Sequence, residues 1–204
     1  MPRIGVARDG AEPTSVEQRE RHLRIIDAAS RLASEHELAR VQMTEVAKLA
    51  GVAIGTLYRY FPSKTHLFVG VLLHRLELSA DRIPAPGADV SPQDAICAAL
   101  IALTRQLVSR PKLALAMLVS NSTATVSAVP DALRVDELFQ QLILRVGGIT
   151  GPTEQDRDAV RLLAMLWFGV ITVYLNNRAT LEETEADIRL SCRLLLVHIS
   201  QTSS

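Results

Sequence analysis

One stretch, Thr44 to Lys64, constrains this chain more than any other. Val46, Ala47, Leu49 and Ala50 supply the apolar face of a short helix. Gly51 can take φ > 0 and so end that helix sharply. Val52 restarts the apolar pattern, and Leu57 and Phe61, four residues apart, share one face of a second helix. Gly55, Thr56, Tyr58, Arg59 and Tyr60 are left for the opposite, exposed face, with Lys64 just beyond the helix. Small, hydroxylated, aromatic and basic groups allow close approach to a duplex, base-edge contacts and phosphate hydrogen bonds. The spacing predicts a helix-turn-helix. A purely structural pair of helices would not require what surrounds it: no acidic residue stands between Glu45 and Glu77, whereas Lys48, Arg59, Lys64 and Arg75 do.

These residues resemble the TetR family of one-component bacterial transcriptional regulators. The shared run is a short helix ending in Ala50-Gly51-Val52, then Gly55-Thr56-Leu57-Tyr58, the aromatic pair Tyr60-Phe61, and Ser63-Lys64 before the next helix. One departure is Gln42-Met43, where the family often places a Ser or Thr N-cap; Gln caps poorly. The resemblance implies a dimeric repressor that reads a palindromic, double-stranded operator. In that reading Tyr60 and Lys64 hold phosphate oxygens, and Thr44 meets the duplex near the start of the first motif helix. Gly55, Thr56, Tyr58 and Arg59 lie closest to the base edges or their flanking phosphates.

Composition bounds the rest. The 204 residues, 48% of them apolar, can bury a substantial core in one or two domains. Net charge is zero, so a basic face must be local. Residues 1–64 carry ten Lys/Arg against eight Asp/Glu, and residues 65–204 carry twelve against fourteen. A mild local excess suffices for duplex binding. The N-terminus lacks a continuous apolar run and contains Asp9, Gly10 and Glu12, so no signal peptide is expected. The most apolar window, Leu162 to Leu175, stops short of the roughly 18 uninterrupted apolar residues of a membrane span. Cys97 and Cys192 lie in apolar helical patterns and read as buried free thiols in a reducing cytoplasm.

The remaining pattern predicts an all-α chain of about nine helices. Residues 1–14, with Pro2, Gly5, Gly10 and Pro13, read as a flexible arm. Ser15 and Gln18 form a capping box opening a helix whose stripe is Leu23, Ile26, Ala29 and Leu32 or Ala33. Residues 15–64 make the DNA-binding domain. A connector helix follows over 65–82 with Leu67, Val71, Leu72, Leu76 and Leu78, until Ile83-Pro84-Ala85-Pro86-Gly87 breaks it. Residues 83–204 form an effector-binding and dimerisation domain. Pro92 marks a helix start and Pro111 another; the segment 131–146 stops at Gly147-Gly148. The longest helix runs from Thr153 to about Arg178. Thr180 and Glu183 cap a final helix whose stripe is Leu190, Leu194, Val197 and His198 or Gln201.

The last two helices carry more apolar surface than one core needs, which points to a four-helix homodimer interface. Met117, Asn121, Phe139, Trp167 and Tyr174 are candidate lining residues for a hydrophobic effector, with ordinary core packing the competing reading of each. The stretch Gln42 to Val69, and more loosely the later Pro-Thr-Glu-Gln-Asp run and Trp-centred helix, are similar to actinobacterial repressors of steroid and cholesterol breakdown. That similarity implies a large, greasy effector of the acyl-CoA type. No catalytic, metal-binding or cofactor cluster is expected: His22, His36, His66, His74 and His198 are scattered, and neither Cys has a partner at ligand spacing. The chain is not read as an enzyme or as a membrane protein. The alternative reading is an effector-independent DNA-binding protein whose second domain serves dimerisation alone.

Overall fold

Helix α1 (Val16–Glu35) is held both by local caps and by α2, which packs against it. Ser15 accepts a hydrogen bond from the Gln18 amide. Gln18 reaches past Ser15 to Thr14, so the expected capping box is closed one residue early. The buried stripe is Ile25, Ile26, Ala28, Ala29 and Ala33. Leu23, expected on it, is exposed. At the other end the Lys112 ammonium donates to the Glu35 carbonyl at 2.8 Å, supplying a cation to the negative end of the helix.

A computed structural model describes residues 10–83, 89–197 and 199. Among these the remaining helices are α2 (Met43–Ala50), α3 (Ile54–Tyr60), α4 (Lys64–Arg82), α5 (Pro92–Val108), α6 (Pro111–Thr123), α7 (Asp131–Val146), α8 (Glu154–Leu175) and α9 (Leu181–Leu195), with no strand. The break expected at 84–87, most of the arm, and His198 and Gln201 lie outside the described residues.

Helix ends follow local chemistry. Gly51 sits at φ 65°, and the Val52 and Gly51 amides bond Ala47 and Lys48 carbonyls, a Schellman stop. Gly148, at φ 67°, stops α7 in the same way. The third such stop corrects an expectation. Asn177 takes φ 57°, with Arg178 bonded to the Val173 carbonyl, so α8 ends at Leu175 rather than near Arg178. Asn is the side chain that tolerates this conformation best after glycine. Thr153–Asp156 and Thr180–Glu183 are complete capping boxes.

The chain forms two compact units that do not follow the sequential division at residue 83. The first comprises residues 1–74 and 112–135; the second comprises 75–111 and 136–204. In the first, Met43, Val46, Ala47 and Ala50 of α2 are buried, whereas Leu49, expected there, is 42% exposed. Positions 43, 46, 47 and 50 complete one helical face, and position 49 falls off it. The Phe61 ring packs so closely on α4 that a Cβ on Gly70 would stand 2.7 Å from it.

In the second unit α8 packs on α9, and α5 on both. Its core holds Phe139 stacked on Trp167 at 4.8 Å, with Phe168 at 5.1 Å from Trp167. The Trp167 indole donates to Thr104 Oγ1 at 2.9 Å, and Thr104 donates on to the Leu100 carbonyl. The thiols are free, and burial pushes Cys192 up to about 12. By length and composition α8 could cross a bilayer. Its apolarity is accounted for by two faces: Leu163, Trp167 and Ile171 are buried, and Leu162, Met165 and Leu166 are exposed.

Glu185 of α9 ties this unit together. It accepts from Arg105 of α5 at 2.6 and 2.9 Å and from Arg189, one turn on, at 3.0 Å. The Arg105 hydrogen bond holds the Glu185 carboxyl below the usual range despite its burial, and Arg189 adds to this. A depressed carboxyl stabilises the fold above its unfolded pKa, about 4.3, and loses that contribution as pH falls through its folded value. Glu185→Gln is therefore expected to melt lower than the parent at neutral pH and to lose less on acidification from pH 7 to 3. Parallel melting-temperature profiles for the two proteins would show that the bridge contributes nothing.

Candidate nucleic-acid interface

The turn at Gly51 throws the chain directly into α3, whose N-cap Ala53 offers no side-chain hydrogen bond. Leu57 is fully buried and anchors the helix on its unit. Around it, Gly55, Tyr58 and Arg59 are exposed and Thr56 is half-buried. Thr44 is exposed on α2, as is Lys48, and Gln42 is exposed at the N-cap ahead of it; the last two are not among the expected contacts. The signal for Lys48 was present, since it opens the acid-free run. Nothing in the pattern distinguished Gln42 from a poor cap.

Tyr60 departs from expectation. It was placed on the exposed face, yet only 4% of it is accessible. Its ring meets the His22 ring edge-on at 5.7 Å, which draws it inward. The Tyr60 hydroxyl accepts from Arg59 Nη2 at 2.9 Å, and the Arg59 guanidinium lies 4.9 Å from the ring centre. Arg59 thus folds back along Tyr60 rather than extending freely. Lys64, in the first turn of α4, is half-buried, and its ammonium donates to the Leu38 carbonyl at 3.0 Å. A phosphate would have to compete with that carbonyl.

The five effector candidates do not form one cluster within a unit. Met117 and Asn121, on α6, belong to the first unit; Phe139, Trp167 and Tyr174 belong to the second. Met117 is buried. The Asn121 Oδ1 atom is buried and has no hydrogen-bond partner among the described residues. Phe139 and Trp167 are buried against each other with the indole satisfied; Tyr174 is half-buried. Among the described residues no group of three or more His, Cys, Asp or Glu is placed to hold a metal ion.

Comparison with known proteins bears on the family and the fold. Residues 25–71 match the model for bacterial regulatory proteins of the tetR family, and residues 90–195 match the tetracyclin repressor-like C-terminal domain. The chain is 34% identical over 189 residues to the HTH-type transcriptional repressor KstR of Mycobacterium tuberculosis, covering 91% of this chain and 85% of that protein. A crystal structure of a TetR transcriptional regulator from Rhodococcus sp. RHA1 is 55% identical, with a TM-score of 0.85, covering 90% of this chain and 99% of that one. The fold also matches Thermus thermophilus FadR in complex with lauroyl-CoA, at 20% identity and TM-score 0.67, over 86% of this chain and 93% of that one.

Proposed function

Because the chain belongs to the TetR family of bacterial regulatory proteins, we propose that it is a cytoplasmic, ligand-responsive repressor that binds a palindromic operator as a homodimer. The observation that carries the DNA reading is the face of α3 bearing Gly55, Thr56, Tyr58 and Arg59, in a run from residue 46 to residue 76 that is free of acidic residues, with Thr44 exposed on the preceding helix. Exposed Tyr58 meets the base edges or flanking phosphates, joined by Arg59 once it swings off the Tyr60 ring, while Lys64, on leaving the Leu38 carbonyl, and the Tyr60 hydroxyl, uncovered by that swing, donate to phosphate oxygens. Two such faces, roughly 34 Å apart, would read successive major grooves.

Selection of duplexes from a random-sequence pool should return a palindrome. On that operator, Lys64→Ala is expected to weaken binding to all sequences alike and to lower the slope of log affinity against log salt by about one. A change in the preferred base pairs would instead make Lys64 a base-reading residue.

The effector reading rests on α6. A buried, unpartnered Asn121 Oδ1 near apolar side chains calls for a donor, and a mainly hydrophobic ligand carrying one N–H or O–H would supply it. The same fold in FadR holds lauroyl-CoA. Helix α4 contributes residues to both compact units, so a ligand fitting one placement of it could bias operator binding by about 1–3 kcal/mol. The packed Phe139–Trp167 pair favours the alternative, an effector-independent protein. Titration of long-chain acyl thioesters against the operator complex separates the two: release supports the ligand-responsive reading, and tight binding without release removes it.

A further inference from the structure

We propose that the backbone of Gly10 and Ala11 is a positioning element for operator recognition, clamping the C-terminal turn of α3 and linking it to the first turn of α7. The inference rests on the DNA-binding reading above. Helix α3 has seven residues and no side-chain N-cap, so its own hydrogen bonds cannot set its direction. What grips its ends must do so.

Its last carbonyls have no partners within the helix. The Ala11 amide donates to the Arg59 carbonyl at 2.8 Å. Gly10 lies against the next carbonyl so tightly that a Cβ there would stand 2.1 Å from the Tyr60 oxygen and 3.2 Å from its carbon. Both obstructing atoms are backbone. Any side chain at position 10 must therefore displace either the segment or the end of α3. The same turn is held from α1 by the His22 ring, 4.8 Å from the Phe61 ring. The expected flexible arm is, at residues 10 and 11, a docked one.

The grip continues into α7. Glu12 lies 3.7 Å from the Arg134 guanidinium, which also bonds Asp131 at 3.0 Å. Asp131 also acts electrostatically on His22. The segment that holds the Arg59 carbonyl thus also touches Arg134, and His22 on the other side of the turn feels the charge of Asp131. The Glu12–Arg134 pair is exposed and weak, so it specifies direction more than strength. A shift of the first turn of α7 would reach the Arg59 carbonyl across two residues of backbone, by a route separate from α4.

Gly10→Ala and Ala11→Pro test the clamp by different means, one by steric displacement and one by removing the donor. With operator selected by the parent protein, each variant is expected to bind about tenfold more weakly. Affinity for non-specific duplex and the thermal midpoint should stay close to the parent values. Should Gly10→Ala fail to fold, Ala11→Pro decides alone. Operator affinity within about twofold of the parent would overturn the clamp, as would an equal loss on operator and non-specific DNA. If the parent selects no sequence at all, the DNA-binding reading falls first and the clamp with it.

Discussion

Leu194→Asp is expected to leave the protein monomeric at micromolar concentration and to weaken operator binding by at least about a hundredfold. Leu194 is 67% exposed, one turn beyond Leu190 and three residues before Val197, both also exposed. On the neighbouring α8, Leu162, Met165 and Leu166 are exposed as well, Met165 at 61%. Gly169 continues that stripe, exposed, with nothing within 4 Å of where its Cβ would lie. Two packed helices that each turn an apolar stripe to solvent form a patch that monomeric proteins seldom carry. A second copy of the same two helices would cover it around a two-fold axis. An aspartate buried there without a partner would cost several kcal/mol. Sedimentation of the variant gives the oligomeric state, and titration against full and half operators gives the loss. A variant that stays dimeric and binds as the parent does would place the interface elsewhere.

Phe139→Ala is expected to destabilise the protein by about 3–5 kcal/mol, the usual range for emptying a buried aromatic site. At this chain length that corresponds to a fall of roughly 6–20 °C in the melting temperature. The side chain is fully buried and stacks on Trp167, whose indole proton is already used by Thr104. Trp167→Phe, which leaves the Thr104 hydroxyl without that donor, should cost less, about 1–2 kcal/mol. Calorimetry distinguishes core from cavity wall. Should Phe139→Ala melt within a degree or two of the parent while losing ligand affinity, Phe139 would line a site and would not belong to the packed centre.

The order and type of the helices were legible in the residues, since their signals are local. Pro92 opens α5, Thr153 with Asp156 opens α8, and Thr180 with Glu183 opens α9, each through side chains three residues apart or less. Gly51 and Gly148 stop α2 and α7 because a left-handed backbone is open to glycine at no steric cost. Asn177 carried the same signal more weakly, and the end of α8 was placed late for that reason. The helix-turn-helix and its acid-free run could likewise be read directly.

Contacts between distant residues could not. The sequence pattern puts Leu49 inside and Tyr60 outside, and the structure reverses both. Packing on His22 took the tyrosine in, and the completed face of α2 left the leucine out. Arg105 and Glu185 are 80 residues apart, and nothing near Gly10 in the sequence distinguishes it from the other glycines of the expected arm, because the Tyr60 carbonyl that excludes a side chain there comes from 50 residues on. Capping, periodicity and chain reversal act within a few residues and are written in the sequence by themselves. Which face is covered, which charge is paired and where an extended segment docks depend on surfaces that exist only once the helices have assembled.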